Sequence, residues 1–523
     1  MSMKDDLDKA RSRYAIDRRR FLVGAAGLGL SAGIVGATGS SAAADTPKRG
    51  GNLRVAILGG GSADTLDANS NVTQPDTARV LGLYEPLRRV RHGGKLENIL
   101  AESMESNAAG TEWTIRLRKG VTFHDGKPLK AEDVAFTLRR VTDPAAPLVG
   151  APELGPMDRD SFKVLDDLTL RVTMHSPFAI FDEAVADDIN LGIVPVGYDP
   201  KKPVGTNAFK FESFTPGQQS VFSRYDGYWG EKAYLDTVTI IDSFASDTAA
   251  FNALQGGEID AFAAAPLALA KQVQDGGLIK LLVSQVGQWT PFTMRVDQPP
   301  FDNPDVRKAF RLLVDRQQII KIALSGYAEP GNDVFSLWDD APKTFHRGRD
   351  VEQAKALLKK AGQENLTVEL VTADIANGVV ASAQIFARQA KDAGVTVNVR
   401  QVTPEVFFGD QYLKWPFAQD FWTLKPYLPQ VALCLLPTSP YNETHWGGDK
   451  AYIDLYQQAL STIDPVKRAV IVRQLQTIDF EQGGYIIPSH NRIIDLVAQN
   501  VNGLSPGTLL ALGDYDFAKI WLS

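Results

Sequence analysis

The sequence predicts an α/β chain of several interlocked units, and three observations carry that reading. Trp113, Ile115 and Leu117 alternate with Thr114, Arg116 and Arg118, the period of a strand with one buried face. Between Val368 and Val399 a strand, a helix and a second strand follow one another as a βαβ unit. No long Ser, Pro or Gly connector divides the chain after residue 44, so the units are expected to share surfaces.

Each element has its own signal. Gly50 to Leu58 reads as the first strand, followed by a turn-rich loop through Gly59-Gly60-Gly61 and Asp67 to Asn71. After the strand at 113–117, Lys119-Gly120 turns, Val121 and Phe123 continue the alternation, and Asp125-Gly126 turns again. Pro128 leads into a helix with Glu132 and Asp133 in its first turn, where the helix dipole favours acids, and with Val134, Leu138 and Val141 as its buried stripe. Phe209 to Phe222 reads as a hairpin about Pro216-Gly217. A helix over Asp247 to Leu254 stops at Gly256-Gly257, and 258–262 returns as a strand.

In the second half Asn303 caps a helix with Pro304 in its first turn, burying Val306, Phe310 and Leu313. Asp350 opens another, with Gln353 at capping-box spacing and Gly362 as its stop. The βαβ unit then places strands at Val368 to Leu370 and Val395 to Val399 around a helix from about Val379 to Ala393. Asp464-Pro465 starts a helix to about Gln482, and strand-like stretches surround Ile486 and Leu496.

The chain has 523 residues, 44% of them hydrophobic and 22% charged, which supports sizeable cores and excludes a disordered chain. Asp17-Arg18-Arg19-Arg20-Phe21-Leu22 precedes a run of 24 uncharged residues, Phe21 to Ala44, interrupted by six glycines. This segment resembles a twin-arginine export signal, with Ala42-Ala43-Ala44 as an A-x-A-like cleavage site before Asp45. A retained membrane anchor is the alternative, since 24 residues suffice to cross a bilayer. Removing residues 1–44 takes away seven Lys/Arg and four Asp/Glu and leaves a net charge of −10. That acidity argues against a nucleic-acid partner. The single cysteine, Cys434, has no partner for an internal disulfide and lies far from the cleavage site, so a soluble periplasmic protein is expected rather than a lipid-tethered one.

A set of short motifs recurs along the mature chain in one order. They are Leu100-Ala101-Glu102-Ser103, then Trp113 through Leu117, then Arg118-Lys119-Gly120-Val121-Thr122-Phe123-His124-Asp125-Gly126-Lys127-Pro128-Leu129 with Ala131-Glu132-Asp133-Val134. Pro203-Val204-Gly205-Thr206, Tyr228-Trp229-Gly230, Gly257-Glu258-Ile259-Asp260, and Pro300-Phe301-Asp302 with Val306-Arg307-Lys308-Ala309 follow. In these motifs the chain resembles the family 5 extracytoplasmic solute-binding proteins of dipeptide, oligopeptide and nickel ABC importers. The resemblance implies a two-lobed periplasmic-binding-protein fold of type II, the large peptide-binding class, with an extra domain inserted in the first lobe. It divides the chain into a signal at 1–44, lobe I at 45–90, 204–295 and 484–523, the inserted domain at 91–203, and lobe II at 296–483. Crossing strands near 290–295 and 485–488 would form the hinge.

The resemblance also points to ligand-binding residues. Peptide receptors of this family place an aspartate shortly after a Trp of the second lobe, to pair with the peptide's amino terminus. Here the stretch reads Phe421-Trp422-Thr423-Leu424-Lys425-Pro426, without an acid. An ammonium buried without a carboxylate is costly, so Lys425 is expected to face the cleft and select an anionic or polyhydroxylated ligand. Arg295 stands where relatives commonly have asparagine, and either grips a ligand carboxylate or makes a structural ion pair at the hinge. Trp289, Trp422 and Trp446 are candidates for a stacking wall against the alternative of ordinary core positions. Asn71, in the polar loop after the first strand, completes the candidate set.

Other chemistries find little support. The six histidines have no i,i+4 pairing and no cysteine cluster, so neither a protein-built metal site nor a cofactor is expected, although a metal chelate stays open as cargo. Gly29-Leu30-Ser31-Ala32-Gly33 fits G-x-S-x-G but lies inside the export signal, and Gly59-Gly60-Gly61 lacks the Lys and hydroxyl of a phosphate loop. Asp166-Asp167, Asp187-Asp188 and Asp339-Asp340 read as solvated turns. The expected protein is a monomeric, non-enzymatic receptor that captures a peptide-like or similar polar solute and hands it to permease subunits in the inner membrane. A secreted hydrolase acting on a peptide or glycoside, and a chaperone or signalling receptor on the same fold, are the rival readings.

Overall fold

The computed structural model describes residues 46–523 except 72, 188, 274–276, 339, 340 and 448. The expected export signal and its cleavage after Ala44 lie outside the described residues.

Two sheets form the frame. The larger has nine strands, in the order Trp422–Thr423, Ile279–Trp289, Ser489–Ala498, Ala261–Phe262, Asn52–Ala56, Thr237–Ile241, Gln219–Arg224 and Phe209–Thr215, with Ala328–Pro330 added against Ser489–Ala498. The smaller has five, in the order Thr396–Val402, Thr367–Ala373, Phe417–Gln419, Phe292–Met294 and Tyr485–Ile486. Three strand pairs run on from one sheet to the other through two-residue links, at 290–291, 420–421 and 487–488. Their backbones are tied together, since Asp420 N–H donates to Pro291 O at 3.2 Å and Leu424 N–H to Gly287 O at 2.8 Å. The first and third links fall within the expected crossing segments. The second, carried by strands of three and two residues, has too little length for any periodic signal.

The βαβ unit is as its pattern predicts. Thr367–Ala373 and Thr396–Val402 pair in parallel, joined by the helix Val379–Ala390. Gly394 stops that helix at φ +81°, and a Cβ there would lie 2.8 Å from Glu364 O. The capped helices also form where expected, with Asn303 over Pro304–Leu313, Asp350 over Val351–Lys360 and Asp464 over Pro465–Gln482. Two expected strands are shorter than their patterns. Val121 and Phe123 are buried but lie in a turn held by an isolated Thr122–Pro128 bridge. Of 258–262 only Ala261–Phe262 pairs in the sheet, because Asp260 turns its carboxylate onto the backbone N–H and guanidinium of Arg54.

A four-stranded antiparallel sheet, Ala101–Ser106, Glu112–Leu117, Thr169–Thr173 and Lys163–Asp166, carries the helix Ala131–Val141 on one face. Residues of the sequence motifs tie together the segments that flank the nine-stranded sheet, and His124 joins the four-stranded unit to them. Glu85, fully buried, accepts from Thr206 Oγ1, Tyr228 Oη and Trp229 Nε1 at 2.8–2.9 Å. His124 Nδ1 accepts from Gly205 N–H at 3.2 Å, which leaves Nε2–H to donate to Asn207 O at 3.0 Å. Gly205 is required by contact, because a Cβ would stand 1.9 Å from Leu83 O.

Candidate ligand-binding site

The strand links bring aromatic residues together. Trp289 ends the long strand of the nine-stranded sheet and pairs across it with Trp422 on one side and His490 on the other. Cross-strand neighbours lie close enough for large side chains to touch. Accordingly the Trp289 ring stacks on Trp422 (centroids 5.9 Å apart, planes 15° apart) and on Phe335 (5.7 Å, 21°), and meets Tyr485 edge-on at 5.5 Å. Phe335 stacks in turn on Tyr427 at 5.0 Å. Trp446 meets Tyr452 edge-on at 6.3 Å. Trp289 and Trp446 are buried, while Trp422 is partly exposed.

Carboxyl groups line this aromatic block. Asp479 Oδ2 accepts from the hydroxyls of Tyr427 and Tyr452, and Trp446 lies beside the same carboxyl, whose pKa burial raises to about 7. Glu443 Oε1 accepts from Trp422 Nε1 at 3.0 Å. Asp420, in the second link, accepts from Tyr412 Oη at 3.0 Å and from Phe421 N–H at 2.8 Å. Burial pushes Asp420 up to about 6 against its hydrogen bonds with Phe421 N–H, Tyr412 and Glu443, while burial and the neighbouring Asp420 carboxylate together push Glu443 well above the usual carboxylate range.

Asp479 and the third link are held by buried arginines. Arg311 donates to Tyr485 O at 2.9 Å, to Phe480 O at 3.2 Å and to Gly483 O, while Arg307 Nε donates to Gln482 O at 2.9 Å. These cations cap the carbonyl end of the helix Pro465–Gln482, where the dipole favours positive charge. Burial lowers the Arg311 guanidinium to about 9.

The polar residues expected to contact ligand are already engaged. Lys425 Nζ lies 2.9 Å from both Glu153 Oε1 and Asp187 Oδ2. Those acids belong to the segment that carries the four-stranded sheet, whereas Lys425 follows the second link. Burial and Asp187 raise Glu153 to about 7 against the pull of Lys425, and Asp187 is lowered because Lys425 and Asn190 outweigh its burial. Arg295 makes a bidentate pair with Asp297 at 2.8 and 2.7 Å and also reaches Lys414 O. Asn71 donates to Ile189 O and accepts from Thr77 Oγ1 at 3.0 Å, tying its loop to Ile189 and Asn190. The structure therefore brings Trp289 and Trp422 together and sets Trp446 beside Asp479, while Arg295 and Asn71 each hold a separate loop. Asp420, Glu443, Asp479 and Tyr485 were not singled out from the sequence.

A void of about 10 Å³, space for one water, lies between Phe335, Asp479 and Tyr485. A larger cavity of about 320 Å³ lies elsewhere, among Glu85, Arg89, Tyr228, Trp229, Asp516 and Lys519. Its buried carboxylate, Glu85, already has the three donors named above. Among the described residues no group of three or more His, Cys, Asp or Glu is placed to hold a metal ion.

Two sheets joined by paired strand links, with an aromatic and acidic site at the joint, define a two-lobed solute-binding protein. The bacterial extracellular solute-binding protein profile "family 5 Middle" matches residues 95–439, and the chain belongs to that family. It is 26% identical over 487 residues to the glutathione-binding protein GsiB of Pectobacterium atrosepticum, covering 88% of this chain and 92% of that one. GsiB of Escherichia coli K12 is likewise 26% identical, over 479 residues. Among solved structures, the periplasmic binding protein DppA of Helicobacter pylori in complex with the peptide STSA has a TM-score of 0.77 at 22% identity, over 91% of this chain and 98% of that one. AgaA of A. tumefaciens R10 with agropinic acid gives 0.75 at 24% identity, over 90% and 99% of the two chains. NikZ of Campylobacter jejuni with Ni(L-His) gives 0.77 at 18%, again over 90% and 99%. The chain is thus similar throughout to two-lobed receptors and functions as a family 5 solute-binding protein of an ABC importer.

Proposed function

We propose that the chain is a periplasmic, monomeric receptor that closes its two lobes on a peptide-like or similarly sized polar solute and delivers it to the permease without breaking a bond in it. The observation that carries this reading is the set of three two-residue links between the sheets, with the stacked Trp289 and Trp422 at their junction. Short paired links bend with little disturbance of either core, so contacts made by a solute with both sides stabilise the closed arrangement. The aromatic block supplies apolar area, and micromolar capture needs only about 8 kcal/mol. The glutathione-binding relatives support a solute with amide and charged groups. The division of lobes at 90, 203, 295 and 483 belongs to the same proposal, as does removal of residues 1–44 by twin-arginine export. Among the described residues no helix is long and apolar enough to cross a membrane.

The test is small-angle scattering of the mature chain across a metabolite library, together with native mass spectrometry for a retained small molecule. A reduced radius of gyration with one solute class, and no turnover of that solute, is expected. Scattering that no solute alters, together with product formation from any of them, would favour the hydrolase reading instead.

A further inference from the structure

We infer that Lys425, clasped between Glu153 and Asp187, latches the two lobes to each other and sets the balance between the open and the closed receptor. The inference rests on the receptor reading and adds to it a closing contact that the protein itself supplies. Glu153 and Asp187 move with the nine-stranded sheet. Their segment is fastened to the loop after its first strand, since Arg140 donates to Asn69 Oδ1 at 2.7 Å and to Asp67 Oδ2 at 2.5 Å, and Asn69 Nδ2 donates to the carbonyls of Asn190 and Gly192 at 2.9 and 3.1 Å. Lys425 leads into helices that move with the five-stranded sheet. The helix Tyr427–Cys434 is bonded through Tyr427 Oη to Asp479 of the helix Pro465–Gln482. That helix is held on Pro304–Leu313, which packs on the five-stranded sheet, by Arg307, Arg311 and Lys308, whose Nζ lies 2.7 Å from Glu481 Oε2. The Lys425 ammonium thus bridges two bodies whose backbones run into one another through the strand links.

Further contacts follow the same seam. Ala179 N–H donates to Leu460 O at 2.6 Å, Arg468 Nη2 lies 3.7 Å from Glu183 Oε1, and a Cβ on Gly110 would stand 2.5 Å from Ile463 Cδ1. Each joins a residue of 91–203 to one of 424–482. Charge makes the clasp between them reversible. Separating a buried ion pair into water regains hydration that offsets most of the lost attraction, so opening costs far less than the gross attraction of the pair. Deleting the cation alone is different. Closure would then bury the Glu153 and Asp187 side chains, 2% and 4% exposed, without their counter-charge, and the lobes escape that cost by parting.

Spin labels on Val164→Cys and Val406→Cys, both exposed and one on each body, report the spread of the lobes by pulsed dipolar spectroscopy, and Cys434 is buried away from the label. Lys425→Met should raise the ratio of long to short distances about tenfold or more, and enlarge the radius of gyration, while the far-UV circular dichroism stays that of wild type. Adding Glu153→Gln should return the ratio at least halfway. Asp187→Asn, in which Lys425 keeps Glu153, should shift the distances the same way by less, and it serves as the test if Lys425→Met does not fold. Unchanged distances in the folded variants, even with a lowered urea midpoint, would overturn the inference, since the three charges would then only hold the fold. Should it fail, shortening of the wild-type distance by glutathione or another member of the metabolite library would leave the receptor reading standing. Should it hold, an opened Lys425→Met chain that no member of the library closes would remove that reading alone.

Discussion

Replacing Lys425 with methionine removes the cation that joins Glu153 to Asp187. Each pair lies at 2.9 Å, where the gross attraction is about 6 kcal/mol at an effective dielectric near 20. Desolvation of three buried groups offsets part of that, and breaking a buried pair by deleting one partner costs about 3–5 kcal/mol net. The loss falls unevenly. Asp187 keeps Asn190 Nδ2 at 2.7 Å and Ile189 N–H at 3.2 Å, whereas Glu153 loses the Lys425 ammonium and is left beside the Asp187 carboxylate, which raises its proton affinity. Glu153, already raised to about 7, should therefore take up a proton in the variant. Urea unfolding followed by Trp fluorescence should show a larger loss at pH 8 than at pH 6, and Lys425→Met with Glu153→Gln should recover at least half of it. Wild-type stability for Lys425→Met at pH 8 would refute the reasoning, because it would mean the ion pair is not formed.

Arg311→Met should cost about 3 kcal/mol or more, since it strands the carbonyls of Phe480, Gly483 and Tyr485, each costing about 1–3 kcal/mol when left unpaired; protease sensitivity of the 465–482 helix would report it. Gly205→Ala should prevent stable folding, because its Cβ would lie 1.9 Å from Leu83 O, and a wild-type thermal midpoint would contradict this. Stability should fall between pH 6.5 and 8. Glu153, Asp479 and Asp495 are raised to about 7 by burial, so the folded chain holds more protons than the unfolded one until the pH passes that value. His124 and His490, lowered to about 4 by burial, act oppositely but only below about pH 6.5. A urea midpoint that rises from pH 6.5 to 8 would exclude this account.

The amino-acid sequence by itself determined the elements whose signals are local. Side-chain caps at Asn303, Asp350 and Asp464, the left-handed stop at Gly394 and the alternation through Trp113 to Leu117 depend on neighbours within a few residues, and each formed where its pattern placed it. The family motifs were equally visible, though not their work. Thr206, Tyr228 and Trp229 converge on Glu85, which no spacing rule connects to them. Tertiary structure alone decided the site. Lys425 and Glu153 are 272 positions apart, and only folding shows that the lysine's charge is spent on the protein. The link at 420–421 joins strands too short to carry a period, so the carboxyl pair beside it had no sequence signature. Local structure follows from backbone geometry and adjacent side chains, whereas a site's charge is a sum over groups that only the fold brings within a few ångströms.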